Sequence, residues 1–171
     1  FDRLPNGHWI VADAPCGVVL SNARAITSQG HVVSRLLLGD GIEDLQCDAH
    51  GFIWVGYFDE GIFGNNGWGK ANGPSPVGAT GLNRFDESGK LLWPDANKLG
   101  QPGWPLPSIA DCYVLNVTAD AVWICPYTDF PTTRIGYNGS VRTWTNTKCG
   151  AHILAVDQDL MVLLGGYEDK A

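Results

Sequence analysis

The chain has 171 residues, 44% of them hydrophobic and only 17% charged, so it is long and apolar enough to bury a core and is not a disordered polyelectrolyte. Its net charge of −7 at pH 7 lacks the basic footprint that nucleic acid or an anionic membrane surface requires. No apolar run is long enough to span a bilayer and no signal-peptide pattern is visible, which leaves small molecules, cations or proteins as partners.

Gly 22, Pro 10 and seven Trp predict many turns and many short strands, and no window carries helical periodicity. In chain order, the first unit has strands over 1–4, 8–12, 22–27 and 32–37. The second has strands over 42–47, 52–58, 82–85 and 90–93. The third has strands over 111–117, 121–127, 132–135 and 141–144. The fourth has only its first two strands. The turns between third and fourth strands are Ser28-Gln29-Gly30, Asp86-Glu87-Ser88-Gly89 and Tyr137-Asn138-Gly139-Ser140, each with the glycine a tight hairpin needs.

One phrase recurs along this series: His8-Trp9-Ile10-Val11-Ala12-Asp13, Phe52-Ile53-Trp54-Val55-Gly56-Tyr57-Phe58-Asp59, Val122-Trp123-Ile124-Cys125-Pro126-Tyr127-Thr128-Asp129, and Leu160 to Asp169. Four antiparallel strands repeating about every 40 residues are the pattern of β-propeller blades. Two insertions interrupt the period, Gly61 to Gly81 and Pro94 to Ser108. The predicted fold is all-β: a partial β-propeller of about three and a half four-stranded blades, at roughly 1–39, 40–108, 109–149 and 150–171. An arc of this kind does not close, so the chain reads as a segment whose remaining blades come from a parent chain or from another copy.

The phrase Asp48-Ala49-His50-Gly51-Phe52-Ile53-Trp54-Val55-Gly56 resembles the D-x-x-G-x-I-W-V-G repeat of bacterial propellers. These include streptogramin-lyase-like proteins and the sensor regions of some two-component regulators, and calcium-dependent lactonases are related propellers. The resemblance implies the fold. For function it implies a ligand- or partner-binding module, a metal-dependent lyase or lactonase-type hydrolase, or a sensor domain. Met161 and Pro126 depart from the phrase.

Stacking the units aligns several polar residues. Asp13, Asp59 and Asp129 follow the second strand, with Asp169 in the fourth unit, and Arg24, Arg84 and Arg134 lie in the third strand. They are expected to pair within each unit as Asp13–Arg24, Asp59–Arg84 and Asp129–Arg134, or the aspartates to accept loop N–H groups; the functional alternative is a ring of carboxylates for a cation. Asp44, Asp111 and His152 fall near the start of the first strand, which lines the channel of a propeller. Two carboxylates and an imidazole there would hold a divalent cation, Ca²⁺ or Mg²⁺, for polarising a carbonyl or activating water; the alternative is that they only hydrate the channel mouth. Both insertions are expected to emerge on the same face, so Phe63, Trp68 and Trp104, with Glu43, are the candidate ligand-binding residues; the alternative is that Trp68 and Trp104 cover blade edges. His8, His31 and His50 sit at turns and are expected to be solvated. The five cysteines, Cys16, Cys47, Cys112, Cys125 and Cys149, form no metal or disulfide spacing and are expected as small apolar residues in strands, in a reducing, cytoplasmic setting.

Overall fold

A computed structural model of the chain describes residues 1–157 and 160–167. Four antiparallel sheets follow one another, each with its strands side by side in chain order. The first holds β1 (Asp2–Arg3), β2 (Trp9–Ala12), β3 (Ala23–Ile26) and β4 (Val32–Leu36). The second holds β5 (Ile42–Cys47), β6 (Ile53–Tyr57), β7 (Leu82–Phe85) and β8 (Leu91–Trp93). The third holds β9 (Leu115–Val117), β10 (Ala121–Ile124), β11 (Thr132–Gly136) and β12 (Val141–Trp144). Among the described residues the fourth holds only β13 (Ile153–Asp157) and β14 (Leu160–Leu164).

The strands form where the side-chain pattern suits a sheet. In β3, Ala23 and Ala25 are buried and Arg24 between them is exposed, the alternation of a strand with one inner face. All five residues of β6 are buried, because it lies between β5 and β7 inside stacked sheets. The outer hairpins turn through Gly30, Gly89 and Gly139 with φ of +85°, +84° and +83°, as their sequence predicts. Helix enters in the insertions, against the expectation of none: α1 (Asp59–Phe63) and a 3₁₀ turn over Ala96–Lys98. Each is too short to leave a periodic signature.

The first strands of successive sheets pack against each other, β1 on β5, β5 on β9 and β9 on β13. One polar side chain ties each step. The Cys47 N–H donates to Asp2 Oδ2 at 2.6 Å. Gln46 donates from Nε2 to the Leu115 carbonyl at 2.8 Å and accepts the Val117 N–H at 2.8 Å. Asn116 donates to the Leu154 carbonyl at 2.7 Å. These bonds fix Asp2, Gln46 and Asn116 as equivalent positions.

The outer hairpins of the second and third sheets also cover the sheet before them. Ser34 of β4 donates to the Glu87 carbonyl at 3.1 Å, and Glu87 takes Asn6 and His8 as further partners, so His8 is paired rather than merely solvated. The turn Ile135–Gly139 lies over Trp54, Arg84 and Trp93. A continuous core of Ile10, Leu38, Trp54, Tyr57, Phe85, Leu115 and Ile124 runs through the first three sheets, and Val114, Cys125, Phe130 and Leu154 join the third to the fourth.

Cys16, Cys112 and Cys125 are buried, as expected, but in loops; only Cys47 lies in a strand, and Cys149 is exposed. Burial pushes the Cys47 thiol up to about 12, with Asp2 and Asp48 adding to the shift.

Candidate functional site

On the face where β10 ends and the segment before β9 begins, a cavity of about 310 Å³ is lined by Asp59, Phe63, Ala110, Asp111, Tyr113 and Tyr127. Three chain segments build it. Asp59 and Phe63 come from α1, whose first turn carries the acidic residues that suit a helix start. Asp111 and Tyr127 exchange backbone bonds, with Tyr127 N–H donating to the Asp111 carbonyl at 2.8 Å. Asp129 and Phe130 take left-handed φ of +62° and +48° just beyond, and this turn sets Phe130 5.4 Å from both Tyr113 and Tyr127.

Aromatic rings continue past the cavity wall. Tyr113 stacks on His152 at 5.5 Å and on Tyr127 at 6.3 Å. Its hydroxyl shares a 2.5 Å hydrogen bond with that of Tyr167, which, ahead of burial, holds the Tyr113 phenol up at about 12. Asp111 is the polar centre. Its Oδ1 is buried and has no hydrogen-bond partner. Burial, then Glu43, then Asp59 push its carboxyl up to about 6, opposed by His152.

Two members of the expected channel triad therefore lie near each other, and the third does not join them. Asp44 accepts the Leu45 N–H at 2.7 Å and the Gln46 side-chain amide at 3.1 Å, and the charges acting on it are the N-terminal amine and Asp2. Burial is the main cause that raises its carboxyl above the usual range. The pairing register explains the separation. Asp44 stands two residues before Gln46, and the residue two before Asn116 is Val114, not Asp111. His152 stands at the position of Tyr113 and Glu43. Among the described residues no three His, Cys, Asp or Glu side chains converge as a metal site.

The expected Asp–Arg pairs are replaced by other contacts. Among the described residues no ion pair joins Asp13 to Arg24, Asp59 to Arg84 or Asp129 to Arg134. Arg84 stands opposite Trp54 and Arg134 opposite Trp123, each five or six residues before the aspartate in the chain, so the carboxylates lie beyond reach past the strand end. Arg134 instead pairs with Asp120 at 2.8 Å. Arg84 covers Phe52 and Trp54 at 4.9 and 5.5 Å. Exposed Arg24 lies opposite Val11. Asp169 lies outside the described residues.

The insertions divide in the same way. Phe63 is 67% exposed at the cavity and Glu43 is exposed close to Asp111. Trp68 is buried and donates from Nε1 to the Cys16 carbonyl at 2.7 Å, so it clamps the loop between β2 and β3 instead of facing a ligand. Buried Asp40 supports that clamp, accepting the Cys16 N–H at 2.7 Å and the Asn66 amide at 3.0 Å. Trp104 packs against the main core. The sequence pattern does not single out Tyr113 or Tyr127 and aligns Tyr127 with Tyr57. The register shows otherwise: Tyr57 pairs with Ile42 and is fully buried, whereas Tyr127 bridges Asp111 and is half exposed.

A larger groove of about 790 Å³ lies on the third sheet, among Trp123, Arg134, Arg142, Trp144, Val156 and Asp157. Trp123 and Arg134 match Trp54 and Arg84 in register, so this groove corresponds to the surface that Ile135–Gly139 covers on the second sheet.

Comparison with protein-family models, with curated proteins and with solved structures found no match for the chain.

Proposed function

We propose that the four sheets are successive blades of a β-propeller arc and that the chain is a ligand-recognition module of that fold. The supports for the arc are the contacts between successive first strands, their repeated side-chain ties, and the hairpins of the second and third sheets lying on the sheet before. The recognition site is the cavity of Asp59, Phe63, Asp111, Tyr113 and Tyr127. The observation that carries this reading is the meeting of two carboxylates, Asp59 and Asp111, with three aromatic rings, Phe63, Tyr113 and Tyr127, around one cavity. The lyase or hydrolase reading needed Asp44 beside Asp111 and His152, and Asp44 is held by Leu45 and Gln46. The free thiols suit a reducing, cytoplasmic setting.

Ligand-observed NMR of a fragment library holding cations, anions and neutral molecules tests the site. Fragments are expected to bind the wild type and to be lost together from Phe63→Ala and Tyr113→Ala. Hits that survive both substitutions would remove the cavity as the site.

A further inference from the structure

The cavity selects strongly by charge and shape. Asp59 and Asp111 line it, Glu43 and Asp59 act as like charges on Asp111, and His152 opposes them. Anions are therefore repelled. A bare Ca²⁺ or Mg²⁺ needs six or more oxygen ligands, and three of the six residues of this wall are aromatic. Ring faces instead attract a cation that also carries apolar surface. The Asp59 and Asp111 carboxylates on the wall add a second requirement: their oxygens accept a directional hydrogen bond, which an N–H cation can donate and a quaternary ammonium cannot. A volume near 310 Å³ lies at the small end for ligand cavities, so the ligand is small.

We infer that the cavity binds a primary alkylammonium ion, its nitrogen on Asp111 and its alkyl chain against Tyr113, Tyr127 and Phe63. This inference rests on the ligand-recognition reading above and names its ligand class. Asp59 and Glu43 supply the longer-range field that draws the cation to the mouth. Asp111 gives the directional bond, and a charge-assisted bond of this kind is roughly twice as strong as a neutral one. Tyr113 is held in place by Tyr167, His152 and Phe130, so the ring face stands ready before the ligand arrives.

The test is calorimetric titration of the whole chain at pH 7.5 with four probes: n-butylammonium, n-butanol, tetramethylammonium and Ca²⁺. n-Butylammonium is expected to bind at least about tenfold more tightly than n-butanol, which has nearly its shape without the charge. Tetramethylammonium, charged but with no N–H, is expected between them. Asp111→Asn should erase the preference for the amine over the alcohol, with folding checked by circular dichroism. Tyr113→Phe should keep binding, and Tyr113→Ala should lose it. Equal affinity for amine and alcohol, or binding of Ca²⁺ alone, would overturn the ammonium inference and leave the cavity as a binding site. If no probe binds while library fragments do, the ligand class is wrong; if neither binds, the recognition reading fails with it.

Discussion

Asp111 holds a carboxyl that burial, Glu43 and Asp59 push up to about 6, against a reference of 3.8. Between those values the folded chain binds more protons than the unfolded one, so this group makes stability fall as pH rises from about 4 to 6. Above pH 6 the whole cost is present. Asp111→Asn removes it. Thermal melts should therefore show the variant more stable than wild type at pH 8, with the difference vanishing below about pH 4. A variant less stable at pH 8 would mean that Asp111 has a hydrogen-bond partner in solution. Nothing in the sequence marks this residue above Asp44. Their neighbours, Ile-Glu-Asp and Ile-Ala-Asp, are alike in sequence, but a register shift between Ile42 and Asp44 and the irregular chain before β9 place the two three positions apart.

The element scale shows where the sequence is legible. β5, β7 and β12 have the bounds that their apolar patterns and glycine turns predict. Local pattern sets the existence of a strand, but a slip of one residue reverses which face a side chain takes. Trp9 is the example. It pairs with Arg3, while Ile10 stands opposite Asp2, the equivalent of Gln46 and Asn116. Ile10 therefore fills the place of Trp54, and Trp9 turns to Phe1 at 5.9 Å. The insertions were legible as breaks in the repeat, but not in which aromatic faces outward, because that depends on partners such as Cys16 and Asp40 far away in the chain. Two substitutions separate their roles. Trp68→Ala should cost about 3–5 kcal/mol in denaturant unfolding, since it empties a buried site and strands the Cys16 carbonyl. Phe63→Ala should change stability by less than about 0.5 kcal/mol, because the ring is 67% exposed. The reverse ranking would return Trp68 to the ligand site.

For the whole molecule, the acidic balance and the arrangement of sheets act together. The net charge of −7 favours cationic ligands, and the sheet order brings α1, the segment before β9 and the end of β10 to one cavity. The larger groove competes with it by size alone. Its walls repeat residues that a hairpin covers one sheet earlier, and β14 beside it carries Leu160, Met161 and Leu164 at 65%, 41% and 53% exposure. That is the character of an inter-sheet surface rather than of a small-molecule site. Hydrogen exchange across the whole chain, with and without saturating n-butylammonium, decides between the two places. Slowed exchange is predicted in the peptides spanning 59–63, 110–113 and 127–130, and unchanged exchange in β11, β12 and β14. Slowing confined to β12 and β14, with none around Asp111, would contradict the site and the function built on it.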